Sequence, residues 1–213
     1  MVFAPKKKVA LSLDMEGLAA KHTCPALLSI GVVEFDPHQV QTPEVIAQNP
    51  SCHIFIALDG QTEQYGRVLE GDTLSWWMRQ GDAARQLFEP AAEKVTLPTA
   101  LVGLNRWING LLDQYADASH QHSHAVERPD LEVWSYGAKS DLVWWATACE
   151  GTGVEYPIHY RSERCLRTLS GALPDVTRTA YGVAHNALDD AIAQAAWCQR
   201  LHARLAQLPD PKD

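Results

Sequence analysis

The chain lacks any C-x-x-C pair, and its five cysteines (Cys24, Cys52, Cys149, Cys165 and Cys198) are an odd count. Neither a secreted disulfide framework nor a zinc ribbon fits them. Packed thiols in a reducing, cytoplasmic setting are therefore expected. Long apolar runs are missing as well: nothing approaches the roughly 18 consecutive apolar residues that span a bilayer. Lys6-Lys7-Lys8 opens like a signal peptide, but Asp14 and Glu16 interrupt the apolar stretch that follows, so no membrane is expected as a partner. Positive charge is scarce. There are 18 Lys+Arg against 26 Asp+Glu, a formal net charge of −8, which is the wrong sign for coating nucleic acid by bulk attraction. An acidic balance still allows a nucleic-acid enzyme whose site is filled by divalent cations. No internal repeat, low-complexity tract or interdomain linker breaks the chain. One domain over 1–213 is expected, with a loop insertion at about 116–130.

What is present reads as an α/β pattern. Val9, Ala10, Leu11 and Leu13 form a strand that delivers Asp14 at its C-terminal end. Residues 26–35 and 53–58 read as two more strands, joined by short links as in an antiparallel meander. Helices are expected from Asp72 or Thr73 to Gln80, over Ala83–Phe88, and over Thr99–Tyr115. The last carries Leu101, Leu104, Ile108, Leu111 and Leu112 at three-and-four spacing. A fourth strand over Leu131–Tyr136 and a helix over Asp141–Cys149 follow. A short fifth strand is expected near Ile158-His159-Tyr160, then helices over Glu163–Ser170 and from about Asn186 to Leu205.

Three acidic features carry the chemistry. In Asp14-Met15-Glu16 the two carboxylates sit at i and i+2 of a strand end and face one side. By itself such a pair is more often a solvated turn. Asp141 opens a helix after the turn Gly137-Ala138-Lys139-Ser140, where the macrodipole alone would favour an acid. In His185-Asn186-Ala187-Leu188-Asp189-Asp190, helical phase separates the two adjacent acids. Asp190 falls on the apolar stripe of Ala187, Gln194, Cys198 and Leu201, while Asp189 points about a quarter-turn away. Asn186 as N-cap gives Asp189 a structural role in the first turn. A carboxylate at 190 would face the sheet and needs a partner or a metal. His185 is placed to overhang the same spot.

Asp14-x-Glu16, then Asp141, then His185-x-x-x-x-Asp190 resemble the three motifs of the DEDDh exonuclease family, which includes DnaQ-like proofreading exonucleases, RNase T and oligoribonuclease. The DEDDy branch has Tyr four residues before the last Asp, where this chain has Asn186. Thr73-Leu74-Ser75-Trp76-Trp77 and Arg164-Cys165-Leu166-Arg167-Thr168-Leu169 further resemble phage DexA-type exonucleases and related bacterial exoribonucleases.

The resemblance implies an RNase H-like fold: a five-stranded mixed sheet, order 3-2-1-4-5, flanked by helices. It implies metal-dependent 3′→5′ cleavage of single-stranded DNA or RNA 3′ ends to nucleoside 5′-monophosphates. Two divalent cations about 4 Å apart, Mg2+ or Mn2+, would be held by Asp14, Glu16, Asp141 and Asp190. Four carboxylates against two dications would leave the loaded site neutral. His185 would act as general base, as imidazoles titrate near working pH. Met15, Gly17 and Leu18 would touch the terminal nucleotide through backbone groups and an apolar wedge, Trp77 is a candidate to stack on a base, and Arg161, Arg164 and Arg167 are candidates for backbone phosphates. Several relatives are homodimers, so a dimer is a further expectation. The rival reading is a non-catalytic binding or scaffold module on the same fold.

Overall fold

The structure, a computed structural model, describes residues 8–89, 93–116, 128–137 and 139–209. In chain order the elements begin with β1 (Lys8–Gly17), β2 (Leu27–Phe35), α1 (Pro43–Ile46) and β3 (Ser51–Phe55). Four helices follow: α2 (Gln61–Tyr65), α3 (Gly71–Trp77), α4 (Asp82–Arg85) and α5 (Leu97–Gln114). The second half holds β4 (Asp130–Ser135), α6 (Asp141–Thr152), β5 (Glu163–Cys165), α7 (Leu166–Ala172) and α8 (Ala187–Leu205).

The five strands form one sheet in the order β3-β2-β1-β4-β5. β1 and β2 pair antiparallel, as do β2 and β3, while β4 lies parallel to β1 and β5 parallel to β4. β1 is thus an interior strand. Its alternation sends Val9, Leu11, Leu13 and Met15 to one face, where Leu101, Leu104 and Ile108 of α5 and Leu142, Trp145 and Cys149 of α6 cover them. Ala10 faces the other side, beneath Ala191, Ala195, Cys198 and Leu201 of α8. A third cluster, Leu18, Leu28, Trp77, Ala84 and Leu87, closes the end of the sheet where β1 finishes.

The fold class and strand order agree with expectation, while several boundaries differ, most of all around the fifth strand. The fifth strand is Glu163–Cys165 rather than Ile158-His159-Tyr160. Ile158 is buried in the α5–α6 core, and His159 Nδ1 accepts from Arg161 N at 3.2 Å to start a 3-10 turn, so that triplet packs and turns instead of pairing. The helix expected from Glu163 begins only at Leu166, after the strand has ended. Of the expected loop at 116–130, residues 117–127, including His120, His122 and His124, lie outside the described residues.

Candidate active site

The site is built where the ends of β1, β4 and the start of α8 meet. Asp14 and Glu16 leave β1 on the α8 face. Asp14 pairs across to Gly31 of β2, and the first turn of α8 rests on that glycine. A Cβ at Gly31 would overlap the backbone of Ala187 and Leu188, so the missing side chain is what lets α8 approach the sheet. Asn186 caps the helix, its Oδ1 accepting from Leu188 N at 3.1 Å and Asp189 N at 3.2 Å. Asp189 turns outward and accepts from Val183 N at 2.7 Å. Asp190, one residue on, turns inward.

Hydrogen bonds fix the carboxylates. Asp14 Oδ1 accepts from Gln194 Nε2 at 2.6 Å, and Gln194 Oε1 accepts from Tyr136 N at 3.0 Å, so one α8 side chain ties β1 to the end of β4. Asp141, at the start of α6, accepts from Met15 N at 3.3 Å. Asp190 Oδ2 accepts from His185 N at 2.9 Å, and its Oδ1 accepts from Arg178 Nη2. His185 has φ 64°, a left-handed conformation uncommon outside glycine, though His is enriched among the residues that adopt it. This turn lets the His185 amide reach Asp190 while the ring lies over Glu16, Nδ1 to Oε1 being 3.9 Å. Glu16, His185 and Asp190 each bring a ligand atom within 4.8 Å of the others.

The electrostatics favour a cation. Burial pushes the Asp14 carboxyl well above the usual carboxylate range; the charges of Asp141 and Asp190 add to it, and the Gln194 bond and Arg178 oppose it. Glu16 is raised well above its ordinary value by burial and then by Asp14, Asp190 and Asp141. Burial lifts Asp141 to about 7, against the pull of backbone N–H groups and the Arg167 charge. Hard carboxylate oxygens crowded this way, with a single imidazole at the rim, fit Mg2+ or Mn2+ better than a soft metal.

All five motif residues therefore lie around one cavity or hydrogen-bond directly into its lining. The cavity, ≈ 530 Å³, is lined by Asp14, Glu16, Arg178, His185, Asp190 and Gln194, among others. The proposed substrate contacts fare differently. Met15 is 3% exposed and packs with Leu13, and Leu18 is 0% exposed, its N bonded to Ala26 O and its O to Glu70 N. Gly17 O accepts from Trp77 Nε1 at 3.2 Å. The side chains of Met15 and Leu18 are packed away, while Met15 still lines the cavity and Gly17 borders a neighbouring hollow. Trp77 is only 1% exposed, whereas Trp76 is 38% exposed with its ring 4.8 Å from that of His185. Of this adjacent pair, the exposed ring is Trp76. Nor do the three arginines share a helix face: Arg161 lies in the 3-10 turn, Arg164 in β5 pairs with Glu132 at 2.9 Å, and Arg167 in α7 lies 4.7 Å over the Tyr136 ring. Arg178 was not anticipated, because it sits in an irregular segment with no periodicity to mark it. Gln194 was visible in the sequence as a polar residue on the α8 stripe.

The fold is that of the RNase H-like DEDDh exonucleases. The chain superposes on the nuclease domain of 3′hExo, a DEDDh family member bound to rAMP, with a TM-score of 0.61 and 12% identity over 97% of this chain and 96% of that one. S. pombe Pop2p in its Mg2+ and Mn2+ bound form matches with a TM-score of 0.52 and 13% identity, over 97% and 87% of the two chains. In sequence, the chain belongs to the family described as the 3′-5′ exoribonuclease Rv2179c-like domain, whose model matches residues 9–202. No curated protein matches the chain.

Proposed function

We propose that this protein is a divalent-cation-dependent 3′→5′ exonuclease that removes nucleoside 5′-monophosphates from single-stranded 3′ ends. The observation that carries this reading is the meeting of Asp14, Glu16, Asp141 and Asp190, from three distant stretches of chain, at one end of the sheet, with His185 beside Glu16 and Asp190. The family to which the chain belongs supports nuclease activity and ribonucleic acid as substrate.

The four carboxylates would hold the cations. Bound there, Mg2+ or Mn2+ supplies positive charge that stabilises the phosphorane-like transition state and the leaving 3′ oxygen. The protein's own groups do the rest. Gln194 orients Asp14 through its amide. With Nδ1 turned to Glu16, Nε2 of His185 is the nitrogen that takes the proton from the attacking water. Trp76, beside His185 and above an apolar hollow of ≈ 360 Å³ that also touches Glu16 and Gly17, is placed to stack on the terminal base.

The test is a digestion panel of single-stranded RNA, single-stranded DNA and 3′-overhang duplexes, labelled at either end, with Mg2+, Mn2+ or chelator. Stepwise shortening from the 3′ end of RNA, with mononucleotide release that chelator stops, is expected. The Asp190→Asn protein should remain folded by circular dichroism and lose activity by at least about a thousandfold, since it removes an inward carboxylate from the site. Full activity of that variant with Mg2+ would remove the assignment of the site. Mn2+ binding without any mononucleotide release from any substrate would favour the scaffold reading.

A further inference from the structure

Asp190 has both carboxylate oxygens occupied by the protein itself. Oδ2 accepts from the His185 amide, and Oδ1 accepts from the Arg178 guanidinium. Arg178 is the cation among the described residues lining the cavity, set against Asp14, Glu16 and Asp190. Its charge also reaches Asp14. A divalent ion ligated by Asp190 together with Glu16 would come up beside this guanidinium. A dication and a guanidinium about 4 Å apart repel each other, so the two compete for Asp190.

The segment around Arg178 is held in a way that suits such an exchange. Arg200 of α8 donates from Nη2 to Thr177 O at 3.0 Å and from Nη1 to Thr179 Oγ1 at 2.8 Å, so both chain neighbours of Arg178 are fixed. Trp197 Nε1 donates to Val176 O at 2.6 Å just upstream. Arg178 can therefore leave Asp190 by rotating its side chain about a fixed backbone. At 31% side-chain exposure it already reaches solvent at the cavity mouth. A guanidinium released there presents a planar fork of donors matched to a phosphate.

We propose that Arg178 is an internal counter-cation that neutralises Asp190 while the site holds no dication, yields Oδ1 when ions bind, and then clamps the substrate phosphate. This rests on the nuclease reading above and assigns a residue that none of the sequence motifs contains. It predicts opposite effects of one substitution. In Arg178→Ala, Mn2+ affinity measured by calorimetry should rise about tenfold, because the competing charge-assisted bond is gone. Binding of adenosine 5′-monophosphate in saturating Mn2+ should fall about tenfold, because the phosphate has lost its fork. A merely structural role would weaken both. In Arg178→Lys the charge remains without the fork, so Mn2+ affinity should stay near wild type while nucleotide binding falls.

A measurement on the wild-type protein covers the case in which the alanine variant fails to fold. The 15N side-chain signal of Arg178, assigned by its loss in Arg178→Lys, should move on adding Mg2+ and move again on adding the nucleotide. Unchanged or weaker Mn2+ affinity in a folded Arg178→Ala, or unchanged nucleotide affinity, overturns the proposal while leaving the nuclease reading intact. So does an Arg178 signal indifferent to Mg2+. Failure of the wild-type protein to bind Mn2+ at all overturns both.

Discussion

Trp76 and Trp77 are adjacent, yet one helical step of about 100° separates their environments. Trp77 points into the cluster of Leu18, Leu28 and Leu87 and spends its indole N–H on Gly17 O. Trp76 lies at the surface, edge-on to His185. Within a seven-residue helix the sequence has no periodicity long enough to decide which of the pair faces out, and the structure leaves the exposed ring at 76 rather than at 77. Met15 is a different case. The strand alternation that brings Asp14 and Glu16 to one face necessarily sends the residue between them to the other, so its burial was already implicit in the D-x-E spacing. The two tryptophans should separate cleanly on mutation. Trp76→Ala should raise KM for a single-stranded substrate by roughly 5- to 150-fold, the loss of about 1–3 kcal/mol of base stacking, with little change in Tm. Trp77→Ala should instead cost about 3–5 kcal/mol of stability through the cavity it leaves. A Trp76→Ala protein with wild-type KM would rule out the stacking role.

At the scale of elements, the site depends on how closely α8 lies on the sheet. Four stretches were legible from local pattern: β1 from its alternation, α5 from its apolar stripe, α8 from its N-cap and stripe, and Asp141 from its place at a helix start. The close approach of α8 was not legible, because it depends on a contact between residues more than 150 positions apart, Gly31 against Ala187. β5 was misplaced for a related reason: three residues, Glu163–Cys165, give too short a run to show alternation. A side chain at Gly31 must push α8 outward, carrying His185 and Asp190 away from Asp14. Gly31→Val should therefore lower stability by about 1–3 kcal/mol or more and reduce activity further than that loss of fold explains. Gly110, inside α5 about one turn before its C-terminal end, is the internal contrast, with nothing within 4 Å of an added Cβ. Gly110→Ala should raise Tm by about 1–4 °C through helix propensity alone, with activity unchanged. Equal behaviour of the two variants in thermal melts would show that the α8 contact is not tight.

For the molecule as a whole, the net charge of −8 turns from an obstacle into part of the design once the acids are located. Asp14, Glu16 and Asp141 are all held above their ordinary values, burial being the first cause in each case. A carboxyl raised in the folded state binds more protons folded than unfolded between its two pKa values, so its contribution to stability falls as pH rises through that interval. For Asp141 the interval runs from the ordinary carboxylate range to about 7, and Asp14 and Glu16 act in the same sense. The metal-free protein should thus lose stability from this cluster between about pH 4 and pH 7, the reverse of what a salt-bridged acid contributes. Cation binding must displace those protons, so affinity should rise over the same range. Comparing melts with and without Mg2+ at each pH cancels the titration of every group outside the site. At about a hundredfold excess over Kd the added Mg2+ should raise Tm by roughly 5–10 °C at pH 8. At pH 5 the rise should be much smaller, and in Asp14→Asn, which removes one raised carboxyl, the difference between the two pH values should shrink. A Mg2+-induced shift of the same size at both pH values would mean that the carboxylates ionise freely without the ion, and that their crowding is not what draws a cation to this end of the sheet.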